Sequence, residues 1–98
     1  MPNKDIEAAF AATAASIRFG EVVSYGEVAR RAGYPRHHRA VGRFLSNTDL
    51  DLPWWRVVYG DGRIPPINPD VQRDRLLNEG VQLKGYRVLS APSGPFAS

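Results

Sequence analysis

Apolar positions recur with a helical period over most of the chain, broken by glycine and proline. Ile6, Ala9, Phe10, Thr13 and Ile17 fall near the three- and four-residue spacing of one helical face. With the alanine-rich content around them, they predict a first helix over 5–19 that ends at Gly20. Ser24 followed by Glu27 is a capping box and predicts a short helix over 25–32, with Val28 and Ala29 turned inward. Gly33 ends it. A third helix is expected from about 36 to 46. Val41, Phe44 and Leu45 form its apolar stripe, and Arg36, Arg39, Ala40 and Arg43 lie on the opposite face. Residues 47–52 are rich in turn formers. The β-branched pair in 56–59 suggests a short strand, 60–62 a turn, and 63–64 a returning partner strand. Three prolines make 65–69 a stiff loop. A fourth helix is expected over 70–79, capped by Asn68 or Asp70, with Val71, Leu76 and Leu77 facing in and Gly80 closing it. The chain from Ser90 carries two prolines, a glycine and three serines, and is expected to be a mobile tail.

At 98 residues the chain is one expected domain, 1–98, mostly α with a short β-hairpin. Cysteine is absent, which removes disulfides, cysteine-ligated zinc and a cysteine nucleophile. No apolar run approaches the ~20 residues of a membrane span, and the start of the chain does not look like a signal peptide. A soluble cytoplasmic protein is expected, with no membrane partner.

Charge changes the picture more than composition does. Between Val28 and Thr48 stand five arginines, two histidines and no carboxylate, so the rest of the chain sums to −2. Eleven of the 13 basic residues are arginine, whose rigid fork suits phosphate and base edges. Two short helices joined by a tight glycine turn form a helix-turn-helix pattern, and the basic face lies on the second helix. Together these are the footprint of a nucleic-acid binder, against the alternative of a merely solvated basic face.

Catalytic chemistry is thin. Ser24 is explained by its cap, and no nucleophile elbow is present. His37 and His38 are adjacent on a helix and point apart, so they do not chelate one metal easily. Asp49 and Asp51 read as a solvated loop pair. Gly60-Asp61-Gly62 lacks the lysine and helix start of a phosphate loop. Trp54 and Trp55 need a reason, because two adjacent indoles are costly to expose. In an extended chain their rings point opposite ways, one inward and one to a cavity. A ring beside a cavity is what a nucleobase stacks on.

The residues from Glu21 to Val58 resemble the C-terminal DNA-binding domain of the O6-alkylguanine-DNA alkyltransferases. The matching pieces are Val23-Ser24-Tyr25-Gly26-Glu27-Val28-Ala29, Ala32-Gly33, Arg39-Ala40-Val41-Gly42, Asn47 and Pro53 followed by Arg56-Val57-Val58. Leu76-Leu77 and Glu79-Gly80 resemble the helix that closes that family's pocket. The resemblance implies a winged helix-turn-helix-like fold of the alkyltransferase type. Those enzymes have Pro-Cys-His-Arg-Val; here Trp54 stands at the acceptor cysteine and Trp55 at the histidine. Tryptophan is no usable nucleophile at neutral pH, so alkyl transfer is excluded and the chain is expected not to be an enzyme. Tryptophan at the cysteine position marks the alkyltransferase-like proteins, which bind alkylated DNA and hand it to nucleotide excision repair.

The resemblance assigns roles by position. Tyr25 presses on the phosphate 3′ to the target and helps rotate the base out. Arg39 replaces the flipped base in the stack. Ala40 and Gly42 let the helix sit deep in the minor groove, and Arg36 and Arg43 contact phosphates. Tyr25, Trp54, Arg56, Val57 and Glu79 make the alkylguanine pocket, with Trp54 touching the added group, Glu79 buttressing it through hydrogen bonds, and Arg56 open between a structural role and a ligand role. The implied partners are duplex DNA containing O6-alkylguanine and nucleotide excision repair proteins. The implied state is a nucleoid-associated monomer without cofactor. Two other functions stay open at this point: a sequence-specific helix-turn-helix transcription regulator, and an enzyme working through Asp49 and Asp51.

Overall fold

The computed structural model describes residues 4–97. Helix α1 spans Lys4–Ala15, β1 Val23–Ser24, α2 Tyr25–Arg31 and α3 His38–Asn47. A single 3-10 turn at Trp54–Arg56 leads into β2, Val57–Val58. Helix α4 spans Pro69–Asn78, and β3 (Gln82–Lys84) and β4 (Arg87–Ser90) follow. Among the described residues no helix is long and apolar enough to cross a membrane.

The two valine doublets organise the interior. β1 and β2 pair in parallel, Val23 beside Val57 and Ser24 beside Val58. Side chains alternate across a strand, so each doublet sends one valine to either side. Val23 and Val57 join Phe10, Ile17, Val28, Ala29 and Val41 in a first core under the helices. Val22 and Val58 join Ile64, Leu76, Val81, Val88 and Ala91 in a second. A short strand buried on both faces reads as an unbroken apolar run, as parallel strands do.

Several expectations are corrected by this packing. α1 stops at Ala15, four residues early. The Ser16 hydroxyl donates to the Thr13 carbonyl at 2.6 Å, and its N–H is shared between Ala12 and Thr13. Such local bonding competes with helix continuation. Ile17 is still buried, because the turn tucks it under. α3 starts at His38, so Arg36 lies in the preceding turn.

The strand at 57–58 does not pair with 63–64. Tyr59 N–H to Arg63 O only closes a turn, and Arg63 bridges Arg87 instead. The β-hairpin is β3–β4, where Leu83 and Val88 turn inward while Leu89 beside Val88 is exposed. In α4 the inward pair is Gln72 and Leu76, while Val71 and Leu77 are exposed. The Gln72 amide donates to the Trp55 and Val57 carbonyls at 3.0 and 2.9 Å, satisfying backbone that the short strand leaves unpaired. Pro69 opens α4, and Asn68 at the cap position makes no side-chain bond.

The tail is packed. Ala91 is buried, its N–H donates to Phe96 O, Ser93 N–H donates to Gly20 O, and Phe96 covers the second core. Gly62 has φ +91°, and a Cβ there would stand 2.6 Å from the Val88 carbonyl oxygen. Only glycine allows β4 to approach this closely.

Candidate nucleic-acid interface

α2 begins where Ser24 Oγ accepts the Glu27 N–H at 3.0 Å. The other half of the box is diverted. The Glu27 carboxylate accepts from Arg30 at 2.6 and 2.9 Å and from Arg31 at 2.7 Å. Those bonds pull its pKa down to about 2. Arg31 also reaches Glu21 at 3.0 Å. Two of the five clustered arginines are thus occupied by carboxylates lying just before the cluster.

The other three are not. The side chains of Arg36, Arg39 and Arg43 are exposed, with no hydrogen bond or ion pair to any described residue. Arg39 and Arg43 line a groove of about 600 Å³ between α3, the start of α2 and the Tyr59–Gly60 turn. Gly42 lies on the same groove, and a Cβ there would meet the Tyr25 ring at 3.7 Å. Arg36 lies outside this groove. Ala40, expected on the basic face, packs instead against the first core. A residue one position on from Arg39 is turned about 100° around the helix, which carries it to the inner face.

A second cavity of about 380 Å³ opens beside the groove. Trp54 forms part of its wall, with Leu45, Leu50 and Leu52 from one side and Pro65 and Ile67 from the stiff loop. Tyr25 lines both spaces and joins them. Burial, and then the nearby Tyr59, raise its pKa to about 12, so at neutral pH it offers a protonated hydroxyl.

The tryptophans divide as expected but for another reason. The backbone is a 3-10 turn, not extended, and the rings meet edge to face, 6.1 Å apart at 90°. Trp54 goes to the cavity. Trp55 packs on the second core and donates its indole N–H to Glu79 Oε2 at 2.7 Å. Arg75 of α4 lies over both rings, 4.7 Å from Trp55 and 5.6 Å from Trp54.

Arg56, Val57 and Glu79, expected in the pocket, do not line it. Val57 is fully buried in the first core. Arg56 holds Glu79 through Nε and Nη2, both at 2.9 Å, and donates through Nη1 to the Ile17 carbonyl at 2.8 Å. The Gly20 N–H donates to the same carboxylate at 2.8 Å. Burial opposes ionisation of Glu79, but the donors from Arg56, Gly20 and Trp55 prevail and hold its pKa below the usual value. This network ties the end of α4, the 3-10 turn and the loop after α1 together. Pro65 and Ile67 belong to the stiff 65–69 loop, which by the resemblance corresponds in place to the alkyltransferases' pocket-lid loop although its residues do not match. Leu50 went unpredicted as pocket wall, and no local pattern signals it.

Nothing gathers the acid–base candidates. Of Asp49 and Asp51, only Asp51 reaches the cavity, and the described residues contain no group of three metal-ligating side chains.

Residues 5–81 match the family of the DNA-binding domain of 6-O-methylguanine DNA methyltransferase. The chain belongs to this family. A DNA base-flipping protein of Escherichia coli is 47% identical over 75 residues, 72% of this chain and 58% of that protein. The chain thus spans under two thirds of that relative's length. Alkyltransferase-like protein 1 of Schizosaccharomyces pombe is 36% identical over 73 residues, 68% of this chain and 68% of that protein. Among solved structures, S. pombe ATL in complex with DNA superposes with a TM-score of 0.83 at 28% identity, covering 100% of this chain and 98% of that one. S. pombe Atl1 with damaged DNA containing O6-carboxymethylguanine gives 0.77 at 30% identity, covering 86% and 83%. The four helices with short strands are the fold of this family.

Proposed function

We propose that this chain is a non-enzymatic sensor of O6-alkylguanine in duplex DNA. The observation that carries the proposal is the pairing of two spaces. A groove lined by unpaired arginines adjoins a cavity walled by Trp54, and Tyr25 is common to both. Phosphates bind the groove, which gives affinity for any DNA. A base rotated past Tyr25 enters the cavity and meets the Trp54 ring, and Arg39 fills the vacated stack. Rotation costs a few kcal/mol and is cheapest for a weakly paired base. O6-alkylguanine has lost its N1 proton donor and pairs weakly. The relatives named for base flipping, and Atl1 bound to damaged DNA, support this reading.

Alkyl transfer to a cysteine has no acceptor in this chain. Trp55, at the family's histidine position, donates to Glu79 through a nitrogen that cannot relay a proton. Bound lesion therefore persists, which suits a hand-off to nucleotide excision repair.

The test is a titration of tryptophan fluorescence with two short duplexes that differ by one O6-methylguanine, at one salt concentration. Tighter binding and stronger quenching by the modified duplex, weakened in Arg39→Ala, is the expected result. Equal titrations would sink the sensor and leave a sequence-reading or nonspecific binder. Recovery of the alkyl group intact by mass spectrometry after long incubation checks that no chemistry occurs.

A further inference from the structure

The two indoles are held unequally. Trp55 donates its N–H to Glu79, packs on the second core and has the Arg56 guanidinium 5.2 Å from its ring centroid. The Trp54 N–H makes no hydrogen bond with any described residue. The aromatic and cationic contacts on its ring are the Trp55 ring at 6.1 Å and the Arg75 guanidinium at 5.6 Å. Arg75 also lies 4.7 Å from the Trp55 centroid, so it spans the fixed ring and the looser one. It has no carboxylate partner among the described residues to draw it away. α4 is anchored around it. Gln72, Leu76 and Glu79 on the neighbouring turns are buried, and Gln72 and Glu79 are bonded to the 3-10 turn. Arg75 itself lines neither the cavity nor the groove.

We infer that Arg75 is a positioning residue for the lesion pocket. It holds the Trp54 ring in the cavity wall and so sets how well modified duplex is told from unmodified, without touching DNA. This rests on the sensor reading above and deepens it. A planar guanidinium over an indole face is attracted by the electron-rich ring. A loose ring would have to be ordered when a base stacks on it, at a cost in affinity. That cost falls on the duplex whose base enters the cavity, not on DNA bound through the groove alone. With Arg75 in place, the ring is ordered before DNA arrives.

The experiment titrates the native chain, Arg75→Gln and Arg75→Lys with unmodified and O6-methylguanine duplexes over a series of salt concentrations. Near-ultraviolet circular dichroism of the free proteins reads how firmly the indoles are fixed. Arg75→Gln is expected to bind the modified duplex about three- to fivefold more weakly, the scale of one partly exposed cation–π contact. The unmodified duplex and the salt slope stay as in the native chain, and the tryptophan dichroism weakens. Arg75→Lys keeps the cation and recovers most of both losses. Arg75 is exposed, so the urea midpoint is expected to hold in both variants.

Equal weakening of both duplexes with a shallower salt slope overturns the inference and makes Arg75 a phosphate contact. Equal weakening with a lowered urea midpoint overturns it as well and makes Arg75 merely structural. So does an Arg75→Gln chain that discriminates as the native one does or keeps its full dichroism. Failure of the sensor reading itself looks different: the native chain would then bind the two duplexes alike.

Discussion

The arginine-rich stretch splits into two parts that sequence alone treats as one. Arg30 and Arg31 close α2 and are bound to Glu27 and Glu21 at 2.6–3.0 Å. Arg36, Arg39 and Arg43, in the turn and on α3, have no partner among the described side chains. A charge count gives all five equal weight. A guanidinium already held by a carboxylate must give up that bond to take a phosphate, while a solvated one releases only water. The same contrast recurs deeper in the protein, where Arg56 is spent on Glu79 although the resemblance points to the pocket. Pairing, not proximity to a motif, separates the arginines engaged in the fold from those left to solvent.

The contrast breaks most visibly at Glu79. Glu79→Ala strands the Arg56 guanidinium and the Trp55 and Gly20 N–H groups. A loss of about 3–5 kcal/mol in unfolding free energy is expected, read by urea denaturation. Acid probes the same pairs together. The Glu27 carboxyl is lowered from 4.5 to about 2, and Glu79 is lowered as well. A depressed carboxyl binds its proton more weakly in the folded than in the unfolded chain. Its stabilisation is therefore complete above about pH 4.5 and is lost as pH falls toward 2. Thermal unfolding across that window should show a falling melting temperature, and Glu27→Gln should flatten part of the slope.

The unpaired arginines sharpen the contrast from the other side. Arg39→Ala is expected to weaken binding of the O6-methylguanine duplex about tenfold, roughly 1.4 kcal/mol, without moving the urea midpoint. A loss shared equally by the unmodified duplex would make Arg39 a plain phosphate contact. Arg43→Ala and Arg36→Ala should each lower the slope of log affinity against log salt by about 0.9, on modified and unmodified duplex alike. The smallest effect belongs to Arg31→Ala. It should cost about 0.2–1 kcal/mol of stability, for an ion pair near the surface, and leave the salt slope unchanged.

Much of the half that holds α2 and α3 was legible in advance. The Ser24–Glu27 box placed α2, and the apolar stripe of Val41, Phe44 and Leu45 placed α3. Both signals are local, a cap and a period, and neither needs the rest of the chain. The C-terminal half was less legible. Val57–Val58 was visible as a strand, but nothing nearby says its partner is Val23–Ser24, thirty-odd residues upstream in the chain. Nothing local signals that Gln72 turns inward, because its two carbonyl partners lie in the 3-10 turn and in β2, far from it in the chain. Arg56 and Glu79 were assigned to the pocket because motif order carries no depth.

Local reading was enough for the family, the helix-turn-helix and the absence of any cysteine. These depend on residue identity and short spacing, which the chain carries everywhere. Which arginines stay unpaired among the described residues, and how the tail packs against the second core, follow from the folded arrangement. Those are properties of which side chains meet across long sequence separations. Burial and pairing between distant residues arise only when the two valine doublets bring both halves of the chain together.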